Sequence, residues 1–132
     1  MEKIINSLKE RPKAAERIDR THPLFTTILK AVQDKKAENI VSLDLRAIDE
    51  AVADFFILCE AETHIQIKAI ADNIEEEVRR QLNEKPYHHE AGEQWTLLDY
   101  VNIVVHIFQK DERKFYDLEG LWMDAESMEH NS

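Results

Sequence analysis

The sequence predicts one α/β domain, a mixed β-sheet with flanking helices, and three observations predict it. The stretch Trp95-Thr-Leu-Leu-Asp-Tyr-Val-Asn-Ile-Val-Val-His-Ile-Phe108 gathers more large apolar residues with fewer charges than any other part of the chain. Strands usually run five or six residues, so it reads as two antiparallel strands folded back near Asp99 to Asn102. In the second of these, Ile103, Val105 and Ile107 face one side and Val104, His106 and Phe108 the other, so both faces need cover. Upstream, strand patterns and amphipathic helix patterns are interspersed, and helices are the natural cover. The third observation is size: 132 residues with 43% hydrophobic composition suffice for one core and no second domain.

In chain order, residues 1–22 are polar and charged, and Pro12 breaks any continuous helix, so they read as a flexible leader. Ala14, Ala15 and Ile18 could support short helical turns, though with little to bury. The folded domain is expected over 23–126. Pro23 suits a first helical turn, and Phe25, Ile28, Leu29 and Val32 form one stripe of a helix ending near Lys35-Lys36. Ile40-Val-Ser-Leu-Asp-Leu45 alternates as a strand with Val41, Leu43 and Leu45 on its aliphatic side. A polar connection over 46–53 leads to Asp54-Phe-Phe-Ile-Leu-Cys59, a strand too uniformly apolar for an exposed edge. Thr63 with Gln66 is a capping-box pattern, and Ile67, Ile70, Ile74, Val78 and Leu82 then mark the strongest helix, stopped by Pro86. Tyr87-His-His-Glu90 reads as a short strand before the hairpin. A last helix follows from Lys110, capped by Asp111, with Phe115, Leu118 and Trp122 inward, and 127–132 reads as a frayed tail.

Composition excludes several classes. One cysteine, Cys59, rules out an internal disulfide and a cysteine-based zinc site. No apolar run approaches the ~20 residues that span a bilayer, and no signal core follows the first charges, so the expectation is a soluble, cytoplasmic protein with no membrane partner. Residues 1–23 carry six Lys/Arg and four Asp/Glu, whereas the rest carries eleven and twenty-three. Such an acidic body repels phosphate backbones, which argues against direct DNA binding and for contact with a basic protein.

Catalytic signatures are weak. His88 and His89 are neighbours on a strand and face opposite sides, so they cannot chelate one ion, and no metal or cofactor is expected. His106 reads as a core histidine. Gly92 and Gly120 are the only glycines, and neither lies in a strand-to-helix phosphate loop. A magnesium site for nucleotidyl transfer wants paired carboxylates, but two residues beyond Asp44 stands Arg46. Trp95, Tyr100, Tyr116 and Trp122 are different: core and interface roles are both open for each. With Asp117 and Glu119 they suggest an apolar patch with an acidic rim.

Trp95-Thr-Leu-Leu-Asp-Tyr100, Ile103-Val-Val-His-Ile-Phe108 and Arg113-Lys-Phe-Tyr-Asp-Leu-Glu-Gly-Leu-Trp122 together closely resemble the ribosomal silencing factor, or Iojap-like, family. Asp44, Ala53-Asp-Phe-Phe-Ile57 and Lys68-Ala-Ile-Ala-Asp72 agree, and the resemblance covers roughly residues 24–126. It implies a nucleotidyltransferase-like fold without the catalytic residues. It further implies a homodimer-forming regulator that binds the fourteenth protein of the large ribosomal subunit, blocks joining of the small subunit, and represses translation under nutrient limitation. The matching contact positions are Trp95, Tyr100, Tyr116, Asp117 and Glu119. The rival reading is a divergent metal-dependent nucleotidyltransferase using Asp44 and Asp54. Where the family has Gly-Asp at the hairpin turn this chain has Val101-Asn102, so a different turn geometry or register is expected there.

Overall fold

The computed structural model describes residues 16–48 and 51–130, apart from the side chain of Phe115. The leader before Glu16, the last two tail residues and the inward placement of Phe115 therefore lie outside the described residues. The elements are α1 (Pro23–Asp34), β1 (Glu38–Asp44), β2 (Phe55–Ala61), α2 (His64–Leu82), β3 (His88–Glu90), β4 (Trp95–Asp99), β5 (Ile103–Gln109), α3 (Arg113–Tyr116), α4 (Leu118–Leu121) and β6 (Glu126–Glu129). Six strands form one sheet in the order β3-β4-β5-β2-β1-β6. The central pair β2 and β5 is parallel, joined by the crossover that contains α2, and every other neighbouring pair is antiparallel. This is the mixed α/β sheet expected from the sequence.

The two faces are covered unequally. Phe55, Ile57 and Cys59 of β2 and Ile103, Val105 and Ile107 of β5 pack beneath α1 and α2, with Phe25, Ile28, Val32, Ile67, Ile70, Ile74 and Val78 pointing down from the helices. Complete burial pushes the Cys59 thiol up to about 12, which keeps it protonated and inert. On the opposite face, Leu43, Phe56, Leu58, Leu97, Val104 and Phe108 are covered by Ile48, Ala51, Val52 and Ala53 and by the two short helices α3 and α4. Helices shorter than two turns carry almost no stability of their own, so tertiary contacts fix this cover.

Local chemistry accounts for the element ends. His22 caps α1 through Nδ1, which accepts from Leu24 N at 3.0 Å, and Pro23 follows at the first helical position. Thr63 Oγ1 accepts from Gln66 N at 3.1 Å, but the Gln66 side chain turns to the carbonyl of Lys36 at 3.4 Å, so the expected capping box is half made. Asn83 closes α2 in the left-handed conformation.

Three expectations need correction. Part of the expected leader belongs to the fold: Ile18 is buried in the helix-side core, and its N–H donates to Asp54 Oδ2 at 3.0 Å. The expected tail instead begins with β6, which pairs antiparallel with β1 from Val41↔Glu129 to Asp44↔Glu126. The hairpin turn is tight despite its β-branched residue. Tyr100 N donates to Ile103 O at 2.8 Å and Asn102 N to Tyr100 O at 2.9 Å, which forces Val101 to φ 72°. The surroundings hold it there: Asp99 Oδ1 accepts from Val101 N at 2.8 Å, and the Asn102 carbonyl accepts from the N–H groups of Asp54 and Phe55.

A β-branched residue at positive φ costs on the order of 1–3 kcal/mol, only partly offset by the chain entropy it saves in the unfolded state. Val101→Gly is therefore expected to raise stability by about 1 kcal/mol, seen calorimetrically as a melting temperature roughly 4 °C higher. A lower melting temperature would show that Val101 is not strained.

Candidate protein-docking face

The sheet face opposite α1 and α2 carries a chain of touching rings. Trp95 lies 4.9 Å from Phe108 and 4.9 Å from Tyr116, centroid to centroid, and Phe56 meets His106 edge-on at 4.6 Å and Trp122 at 5.8 Å. The strand period places them: Phe56, His106, Phe108 and Trp95 share one face of three adjacent strands. Tyr116 and Trp122 descend onto them from α3 and from the end of α4.

At the centre, Trp95 Nε1 donates to His106 Nδ1 at 3.0 Å, which fixes the imidazole as the neutral ring with its proton on Nε2. Burial holds the imidazole down at about 3, far below its ordinary 6.5. As the pH falls below about 6.5 the unfolded chain takes up a proton that the folded ring refuses, so stability declines progressively until about pH 3. The expected loss from this group is about 2 kcal/mol at pH 5 relative to pH 7.5. His106→Asn retains an acceptor for Trp95 without a titrating ring. Urea unfolding at both pH values should therefore show that increment in the wild type and not in the variant; equal losses would contradict it.

The single last helix expected from Lys110 is instead two. Asp111 does not cap it; α3 starts after Glu112, which makes no capping hydrogen bond. Asp117 takes φ 40°, ends α3 and caps α4, its Oδ1 accepting from Gly120 N at 3.1 Å. A Cβ at position 120 would stand 2.2 Å from Asp117 Oδ2, so this glycine exists to admit the cap. The other, Gly92, lies where a Cβ would meet the carbonyl oxygen of Trp95 at 2.5 Å. Both glycines serve close approaches within the fold.

The break decides what faces solvent. Leu118 is buried and Trp122 is half-buried against the ring cluster, while Leu121 and Met123 stand 64% and 80% exposed. Among the described residues the other large exposed apolar side chains, Ile65, Tyr87 and Met128, are scattered, whereas Leu121 and Met123 flank Trp122. A continuous helix hides this arrangement. Asp117, a strong cap former in the middle of the run, is the sequence signal that could have revealed the restart.

The five contact positions expected from the resemblance separate. Tyr116, Asp117 and Glu119 lie together on this face, and Tyr116 Oη donates to Gln94 Oε1 at 3.2 Å. Trp95 is on the same face but only 3% exposed, so it is a floor beneath Tyr116 and not a surface anchor. Tyr100 is not part of the patch: it is 5% exposed and packs in the helix-side core, because it lies one residue beyond Asp99 and so points to the other side of the sheet. Nor is Glu119 a free rim acid. Its two oxygens lie 3.2 and 3.3 Å from Nε and Nη2 of Arg113, whose Nη1 in turn is 3.0 Å from Glu60 Oε1.

The carboxylates of the rival reading are both engaged. Arg46 grips Asp44 with Nε and Nη2 at 3.0 and 2.7 Å, and this hydrogen bonding holds the carboxyl below its usual range. Asp54 Oδ2 accepts from Ile18 N and from Asn102 Nδ2, each at 3.0 Å. His88 and His89 face opposite sides of the sheet, as expected, the first 3.3 Å from Glu90 and the second 2.6 Å from Glu75. No described helix is long and apolar enough to cross a membrane.

Known proteins agree with this architecture. Residues 18–132 match the sequence model of the family described as ribosomal silencing factor during starvation. The ribosomal silencing factor RsfS of Halalkalibacterium halodurans is 38% identical over 107 residues, which are 80% of this chain and 91% of that protein. The Bacillus subtilis RsfS is 41% identical over 98 residues, covering 72% and 80% respectively. The chloroplastic protein Iojap of Zea mays is 32% identical over 103 residues, 78% of this chain and 45% of its own. A crystal structure from Bacillus halodurans superposes with a TM-score of 0.69 at 35% identity, covering 81% of this chain and 97% of that one. Another, from Chromobacterium violaceum, does so at 0.72 and 22% identity over 80% and 88%, which speaks to the fold alone. With its sheet, its hairpin motifs and nearly its whole described length matched in this way, the chain belongs to the ribosomal silencing factor family.

Proposed function

We propose that this protein acts without catalysis, by binding the large ribosomal subunit through its fourteenth protein and thereby blocking association with the small subunit. Translation is lowered in this way when nutrients are limiting. The observation that carries the reading is the strip Leu121-Trp122-Met123, exposed at Leu121 and Met123 and half-buried at Trp122, an apolar surface on a chain of net charge −10. Aromatic and aliphatic side chains seated on a rigid floor suit a protein interface, and the acidic body suits a basic ribosomal protein as partner. Membership of a family described as silencing factors supplies the ribosome.

The nucleotidyltransferase alternative is disfavoured because Asp44 and Asp54 would each have to surrender an internal partner to hold magnesium. A cytoplasmic location, expected from the sequence composition, and self-association into a homodimer, implied by the resemblance, belong to the same proposal. Sedimentation with separated ribosomal subunits tests it. The protein should travel with the large subunit and suppress formation of joined ribosomes; if it stays at the top of the gradient at low salt, the proposal fails.

A further inference from the structure

The exposed strip is carried by segments too short to hold their own shape, so something must fix its position relative to the sheet. Among the described side chains of residues 113–122, four tie the segment down: Tyr116 on Trp95, Leu118 in the apolar layer, Trp122 on Phe56, and Arg113. The first three are rings and an aliphatic group that can slide over an apolar floor. Arg113 cannot slide. Its guanidinium, with the residue 7% exposed, reaches three separate elements: the carbonyl of Asn39 in β1, Glu60 Oε1 in β2 at 3.0 Å, and both oxygens of Glu119 in α4. A planar fork with five N–H donors can satisfy all three only in one orientation, whereas an ammonium has neither the plane nor the spread.

We infer that Arg113 is a positioning residue for the docking strip: by clamping Glu119 to β1 and β2 it sets the height and tilt of α4, and with them the presentation of Leu121, Trp122 and Met123. The clamp also explains why Glu119 points inward from an otherwise solvent-facing turn. Glu60 has the matching role in the sheet, a buried acidic residue in an apolar strand with its Oε1 3.0 Å from this arginine. The inference rests on the functional reading only for what the strip binds; the clamping is a property of the fold.

Arg113→Lys is the discriminating variant, because it keeps the positive charge opposite Glu60 and removes the fork that holds Glu119. The chain has two tryptophans, one in the floor and one on the strip, so 5-fluorotryptophan NMR reports each separately. In Arg113→Lys the Trp122 resonance should shift and broaden more than that of Trp95, which its hydrogen bond to His106 pins. Binding to large subunits should fall about tenfold or more, at a temperature where amide exchange shows the sheet intact. Glu119→Gln, which weakens one arm of the clamp, should move both readouts the same way by less. Unchanged Trp122 signals in both variants would overturn the inference, as would wild-type affinity in Arg113→Lys. If the wild-type protein itself does not bind large subunits, the functional reading fails and the fluorine spectra alone decide the clamp.

Discussion

Replacing Arg113 with methionine should destabilise the fold by about 3–5 kcal/mol, seen as a lower urea midpoint at unchanged slope. The magnitude follows from what is left behind. Glu60 is 5% exposed, on the apolar face of β2 beside Leu58, and Arg113 is the cation against it. Without that cation a carboxylate is stranded in low dielectric, and the loss of its partner costs far more than the pair contributes when intact. Glu119 is half-buried and can turn towards water, so little of the loss comes from it. The double variant Glu60→Leu with Arg113→Met should recover most of the stability, since no charge then remains to be solvated. If the single variant loses less than about 1 kcal/mol, as an exposed ion pair would, Arg113 does not hold the segment.

Trp122→Ala should weaken binding to the large subunit by about thirtyfold or more, which corresponds to 2 kcal/mol at a central interface anchor. Trp122 packs against Phe56, so some stability is lost as well, and affinity must be read well below the melting temperature. Leu121→Ser separates the two effects. At 64% exposed, Leu121 buries little in the free protein, so this variant should unfold with the wild type while binding more weakly. A rim acid such as Asp117 behaves differently: Asp117→Asn should mainly slow association and flatten its salt dependence. Wild-type affinity in both Trp122→Ala and Leu121→Ser would place the interface elsewhere.

The sheet was legible because its residues obey two short-range rules. Phe55 to Cys59 and Ile103 to Phe108 are apolar on both faces, which marks central strands, and α2 shows an unbroken stripe from Ile67 to Leu82. The opposite cover was not legible as drawn, since Phe115, Leu118 and Trp122 also fit one helical stripe. Only the φ of 40° at Asp117 splits it and turns Leu121 and Met123 outward. Tyr100 failed for another reason: a motif names residues without saying which side of a strand they leave. Its neighbour Val101 misled in the opposite sense, because local preference argued against a tight turn that Asp99 and Asn102 impose through hydrogen bonds. β6 was missed because Glu126-Ser-Met-Glu129 has no apolar alternation of its own and is a strand only through its pairing with β1.

The most direct test of the docking face is site-specific photo-crosslinking on purified large subunits. A photoreactive residue at position 121 samples the exposed strip, and one at position 76, on the exposed side of α2 beyond the sheet, samples the far side of the molecule. The expected result is an adduct from position 121 to one large-subunit protein, the fourteenth, and none from position 76. An adduct from position 76 with none from position 121 would contradict the assignment of the docking face to Tyr116, Leu121, Trp122 and Met123.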